Sequence, residues 1–357
     1  MNIECSKCKT NFKIKDGIIP AGKKINFICK NCRSNNGSEI PKSLIEKSIN
    51  SNAKLPSNEP KITDTPKMYE NKASLRQKII SSIKDLPPMP QVVLEIQNML
   101  LATDISIKRI SNLVEADQSI TAKVLKIANS AYYGMSGKIS TIQQASRVLG
   151  LMGLSEVVTL AGTERVLGAK LPGYGYESED LWKHSLAVAY GSKVLANLLD
   201  PGICNTAHIA GLIHDAGKII LDRFVSEKRT EINIFMETEK KSFLDAENKF
   251  FGFNHADVTS EICKKWKFPD IMSYAIKWHH APSRSNKDFL SYIIHMSDYL
   301  ATLSGIGYDD DDLLYQLEEG TMDFLKIKQT DVSRLIAKIT DAVNKISSTE
   351  SEGRRTN

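Results

Sequence analysis

From Leu75 to about Ile346 the apolar positions recur at helical spacing. After the LPPMP turn, Leu94, Met99 and Leu101 fall in one periodic stretch. Asp117 precedes SITAKVLKIANSAYYG, where Ile120, Val124, Ile127 and Ala131 share a face. Thr141 can cap IQQASRVLG, Gly150 can end it, and SEVVTLAGTERVLGAK follows. A long helix is predicted from about Ser178 to Leu199, stopped by Asp200-Pro201-Gly202. Further helices are predicted near 206–223, 226–239, 242–251, 255–267, 270–281, 287–304 and 330–346. Period-2 alternation is scarce outside residues 10–30, and no repeat suggests a solenoid. The pattern predicts an all-α body, with one continuous core or two packed helical halves meeting near residues 165–178.

Composition divides the chain further. Residues 1–40 form a cysteine-bearing module, 41–73 a Ser-, Asn-, Lys- and Pro-rich flexible linker, and 347–357 a tail. The body spans 74–346, with a helical half at about 74–170, a second half at about 176–304, and C-terminal helices to 346. Residues 1–40 carry eight Lys/Arg against three Asp/Glu, which accounts for the whole net charge of +5. Residues 41–357 therefore carry no net charge, and a nucleic-acid stripe across the body is not expected. No apolar run reaches the roughly 18 residues of a membrane helix, and Met1 opens no secretory pattern, so a cytoplasmic protein without membrane attachment is expected.

Cys5, Cys8, Cys29 and Cys32 are spaced C-x2-C-x20-C-x2-C. Each pair can sit on a tight turn, and four thiolates complete a tetrahedral shell around Zn2+. So short a module has little core, and a metal would supply its folding energy. NFKIKDGIIPAGKKINF reads as two short strands around a turn. The whole resembles a zinc-ribbon finger; a reducing cytoplasm disfavours two disulfides instead. Cys204 and Cys263 read as small core residues.

All seven histidines lie between residues 184 and 295. His184 has Leu181 and Val188 at i−3 and i+4, so it points toward the core. His214-Asp215 sits in the apolar run AGLIHDAGKIIL, His255 opens HADVTSEICKKW, His279-His280 closes IMSYAIKWHH, and Asp298 lies in IIHMSDYLATL. A single buried histidine is usually a satisfied core residue. A whole set would each need its own partner, whereas a shared divalent centre satisfies them jointly.

The order H…HD…H…HH…D resembles the HD metal-dependent phosphohydrolase superfamily. The wider match is to its HDOD group, HD-related output domains of bacterial signalling proteins. It is carried by LPPMPQVVLEIQNML, VEADQSITAKVLKIANSAYYG, ASRVLGLMGLSEVV, LWKHSLAVA, AGLIHDAGKIIL and FNHADVTSEICKKWKFPDIMSYAIKWHH, over about residues 80–300. The resemblance implies an all-α fold. It implies His184, His214, Asp215 and Asp298 around one metal, and His255, His279 and His280 with bridging Asp215 around a second, the metal being Fe, Mn, Zn or Ni. Lys218 matches the lysine that faces substrate phosphate, so Asp215 and Lys218 are the candidate catalytic residues if the protein is an enzyme. Gly211 and Gly217 are expected to leave room for an ion or ligand. His208 and His295 match no ligand position and are expected to be structural. After WHH the chain runs APSRSNKDFLSY, without the GYP motif of relatives that hydrolyse cyclic di-GMP.

Three functions remain open on sequence. One is a regulatory output module that binds a signalling protein partner, its centre structural or sensing. Another is a metal-dependent phosphohydrolase acting on a nucleotide or other phosphoester. The last is a regulator linked to nucleic acid through the finger. Trp182, Trp266 and Trp278 are expected in the core, and Asp309–Asp312 as a solvated helix start.

Overall fold

The computed structural model describes residues 72–101, 107–134, 137–307 and 316–352, together with the backbone of four short strands within residues 2–39. The strands belong to a unit ending at Met68; the helices belong to a second unit, Tyr69–Asn357.

In the first unit β1 (Asn2–Glu4) pairs with β2 (Asn11–Lys13), and β3 (Lys24–Ile28) pairs with β4 (Asn35–Glu39), both antiparallel. Strands do flank the KDGIIPAGK stretch, but each pairs outward with a strand across a cysteine pair, not with the other. Cys5, Cys8, Cys29 and Cys32 lie outside the described residues, and so does Asp309–Asp312.

The second unit is helical around a single apolar core. Its first helices are α1 (Lys72–Ser82), α2 (Gln91–Leu101), α3 (Ile107–Glu115), α4 (Gln118–Ala128) and α5 (Ile142–Leu167). Asp117 caps α4 by accepting from the Ile120 amide, and Thr141 caps α5 by accepting from that of Gln144. Ile120, Val124 and Ile127 are buried; Ala131 lies beyond the helix end and is exposed. Gly150 breaks α5 rather than ending it. Its φ of 67° and ψ of −178° belong to a region that only glycine adopts readily, and the helix resumes beyond it. Among the described residues α5 is the one helix long and apolar enough to cross a membrane, but here it is a core helix packed on α2, α3 and α4.

The site is built from the helices that follow: α6 (Asp180–Leu199), α7 (Cys204–Ile213), α8 (Gly217–Glu227), α9 (Arg229–Glu239), α10 (Phe243–Phe251), α11 (His255–Lys265), α12 (Asp270–Lys277) and α13 (Phe289–Ser304). The short α14 (Thr321–Phe324) precedes α15 (Gln329–Glu352), which packs on α6 and α13. Two expected helices differ. The apolar run 206–223 is two helices separated by His214-Asp215-Ala216. The helix expected to run to 281 ends at Lys277, leaving His279 and His280 in the turn beyond it.

Two glycines set the spacing. A Cβ on Gly211 would come within 2.9 Å of the Val188 carbonyl, so α7 lies directly on α6. A Cβ on Gly217 would come within 2.2 Å of the His255 carbonyl, so the start of α8 abuts the first turn of α11. The space these glycines leave is filled by neighbouring backbone and by the Ser192 and Thr259 hydroxyls, not by room for an ion. Trp182 and Trp266 are core residues; Trp278 is only partly buried, with Lys277 and Arg284 over its ring. Cys263 is buried, whereas Cys204 is half-exposed.

Candidate metal centre

The seven residues come together from five places. His184 is presented by α6, His214 and Asp215 by the α7–α8 turn, His255 by the first position of α11, His279 and His280 by the turn after α12, and Asp298 by α13. Asp215 is central. Its Oδ1 lies 3.1 Å from His255 Nε2, 3.4 Å from His214 Nε2 and 3.9 Å from His279 Nε2, and its Oδ2 lies 3.8 Å from His184 Nε2. Asp298 Oδ1 is 3.1 Å from His184 Nε2 and 3.8 Å from His214 Nε2. His255 Nε2 and His280 Nε2 are 2.7 Å apart.

Three overlapping groups hold ligand atoms close enough for an ion: Asp215 with His255, His279 and His280; His184 with His214 and Asp215; and His214 with His279 and Asp298. All seven predicted residues fall within these groups. His208 and His295 do not. His208 is buried against the ring of Tyr190, and His295 Nε2 accepts from the Glu318 amide at 2.8 Å.

Local bonds determine which face each imidazole offers. His214 Nδ1 lies 2.8 Å from the Gly211 carbonyl, and His279 Nδ1 lies 2.6 Å from that of Ile276. A carbonyl only accepts, so each Nδ1 carries a proton and each Nε2 is turned into the site. His214 Nε2, His279 Nε2, Asp215 Oδ1 and Asp298 Oδ1 are all buried and face the same space. Imidazole nitrogens and carboxylate oxygens thus converge at the centre of the site. These atoms fit a cation, and a set of imidazole and carboxylate donors without thiolate suits a borderline or hard divalent ion.

Electrostatics follow the same arrangement. Burial works against ionised Asp215, but His214, Lys218 and His255 outweigh it and hold its carboxyl well below the usual range. Asp298 is likewise held low against burial, by His184 and His214. Burial, reinforced by His214, pushes His279 down to about 3; burial, then His279 and His255, pushes His280 down as well. Burial also opposes charge on His255, yet Glu247 and Asp215 together raise it to about 9.

Glu247 and two tyrosines are members of the site that sequence reading missed. Glu247 is fully buried on α10; its carboxylate grips His255 Nδ1 at 2.8 and 3.0 Å and accepts from the His255 amide at 2.8 Å. It also accepts from the Tyr174 hydroxyl at 2.6 Å. A carboxylate behind a histidine fixes its tautomer and turns Nε2 toward a metal. Tyr174 and Tyr176, in the segment between α5 and α6, are buried over Lys218. That segment is anchored at Gly173, whose amide donates to Asp222 and whose carbonyl accepts from Arg229, both at 2.7 Å. Lys218 itself is 6% exposed; its Nζ lies 2.8 Å from Asp215 Oδ2 and 3.3 Å from the Tyr176 hydroxyl.

Known proteins share this fold. An HDOD domain protein of unknown function from Geobacter sulfurreducens superposes with a TM-score of 0.64 at 24% identity, covering 77% of this chain and 98% of its own. A protein described as a candidate phosphohydrolase from Shewanella amazonensis has a TM-score of 0.61 at 19% identity, covering 76% and 97%. One described as a candidate signal transduction protein from Marinobacter aquaeolei has a TM-score of 0.60 at 20% identity, covering 78% and 65%. An uncharacterized protein of Treponema pallidum is 28% identical over 210 residues, 58% of this chain; the chain spans 40% of that relative's length. The family model of the HDOD domain matches residues 86–282, more than half of the sequence, and the chain belongs to that family.

Proposed function

We propose that this chain is a regulatory output protein whose HDOD domain acts by binding a signalling partner, with a divalent-metal centre that holds or senses rather than turns over substrate. The observation carrying this reading is the state of Lys218. A phosphate-binding lysine must offer its ammonium to a ligand. Here the ammonium is buried, engaged by Asp215 and Tyr176, and covered by the rings of Tyr174 and Tyr176. The metal would be held by His184, His214, Asp215, His255, His279, His280 and Asp298. In residues 1–40, Cys5, Cys8, Cys29 and Cys32 would hold Zn2+ in a finger that serves assembly. A cytoplasmic location belongs to the same proposal.

The completeness of the ligand set supports a second reading, a phosphohydrolase. Divalent ions at such a site supply an activated water and a clamp on phosphate oxygens. In that reading the Tyr174–Tyr176 segment moves away and frees Lys218.

A screen against phosphomonoesters, phosphodiesters and nucleotides with Mn2+ or Fe2+ decides between them. The regulatory reading expects wild type and His214→Ala to be equally inert. Turnover by wild type that His214→Ala abolishes would overturn it in favour of the enzyme.

A further inference from the structure

A cleft of about 580 Å3 opens among α5, α6, the start of α7 and the segment that follows α4. None of its lining residues belongs to the histidine–aspartate centre. Its size is that of small-ligand pockets. Glu156 lines it at 3% exposure, and its Oε2 accepts from Lys193 Nζ at 2.7 Å. Removing a carboxylate from water is costly, and an apolar pair would serve packing as well. Tyr132 and Tyr133 supply aromatic surface. Val148 and Met152 supply apolar rim, 42% and 51% exposed, and the glycine-only break at Gly150 lies between them. Asn205 also lines the cleft, and its Oδ1 is buried without a hydrogen-bond partner.

We propose that this cleft binds a neutral, planar heterocycle with a lactam edge, the edge of hypoxanthine and guanine. Glu156 and Lys193 place an acceptor beside a donor with no net charge. A lactam presents the complement: its ring N–H donates to Glu156 and its carbonyl accepts from Lys193. The tyrosines and Met152 take the flat apolar faces. A ring with an amino group in place of the carbonyl sets donor against donor at Lys193 and a bare ring nitrogen against the Glu156 carboxylate. Sites built from buried polar groups reject such mismatches strongly.

Calorimetric titration of the full chain with inosine, guanosine and adenosine tests this. Inosine and guanosine are expected to bind saturably, and adenosine at least about ten-fold more weakly. Glu156→Gln and Lys193→Met are each expected to weaken inosine binding at least about ten-fold. Met152→Arg, at an exposed rim position that spares the core, is expected to block the cleft, with circular dichroism confirming the fold. The proposal is overturned if folded wild type binds neither lactam nucleoside, if adenosine binds as well as inosine, or if folded Met152→Arg binds inosine unchanged.

Discussion

Buried polar groups in α1–α5 and around Asp215 are handled in opposite ways. In the first region the chain satisfies itself. Gln97 donates to Ser155 and Thr159 at 3.1 Å each, and Thr159 and Thr163 return their hydroxyls to carbonyls one turn back. Asn129 ties the end of α4 to Ile139 through both its amide groups. The hydroxyls of Ser111 and Ser130 lack partners there, but a neutral hydroxyl leaves no charge to be balanced. Around Asp215 the buried atoms are carboxylate oxygens and imidazole nitrogens crowded within 4 Å of one another. One region balances its polar groups within the chain, apart from neutral hydroxyls; the other gathers a donor set of the kind that fits a cation.

That contrast can be broken most directly at Asp215, which meets four of the histidines. Asp215→Ala is expected to remove the body's metal and, by leaving Lys218 buried without its carboxylate, to cost about 3–5 kcal/mol. Elemental analysis and denaturant unfolding of both proteins check this. Equal metal per chain would refute the site. Glu247→Gln leaves every ligand in place and loosens only the grip on His255. A 10–100-fold loss of metal affinity is expected, read by competition with a chelator of known affinity.

A smaller effect comes from pH. His255 is raised from 6.5 to about 9. In the metal-free protein its charged form therefore stabilises the fold fully below about 6.5, and that contribution is lost as pH rises through about 9. A metal competes for the same nitrogen. Its affinity is expected to rise across this window, by up to about ten-fold per pH unit for one displaced proton, and binding is expected to release that proton. Potentiometric titration during metal addition measures it; a pH-independent affinity would contradict the assignment of His255. Least affected is Gln97→Leu, expected to cost about 1 kcal/mol in unfolding experiments while leaving metal content unchanged.

His184, His214, Asp215 and Asp298 were legible because each interrupts an apolar run, whereas His255, His279 and His280 have polar neighbours and were placed by the H…HD…H…HH…D order that resembles the HD superfamily. Glu247 had the first kind of signal and was overlooked. It lies four residues after Phe243 and four before Phe251, on the apolar stripe of α10, and both phenylalanines are buried. The break between α7 and α8 had no such signal. His214, Asp215 and Ala216 are as buried as the helices they separate, so hydrophobic periodicity runs straight through the turn. Tyr174 and Tyr176 were hidden differently: their role depends on contacts with Lys218 and Glu247, 42 and 73 residues away in sequence. Gly211 and Gly217 mark close approach rather than open space, because a sequence shows a missing side chain but not what occupies its place.

On α6, His184 and Lys193 are nine residues apart, which is two and a half turns and roughly 13 Å along the axis. Half a turn in excess puts them on opposite sides of the same rod. One side of α6 therefore serves the histidine centre while the reverse side lines the Glu156 cleft, and the same nine-residue spacing separates Asn205, at the start of α7, from His214, just past its end. A helix used on both sides has no idle flank on which sequence can drift. In a saturation-mutagenesis map of this chain, α6 is where the band of intolerance is expected to wrap the full circumference.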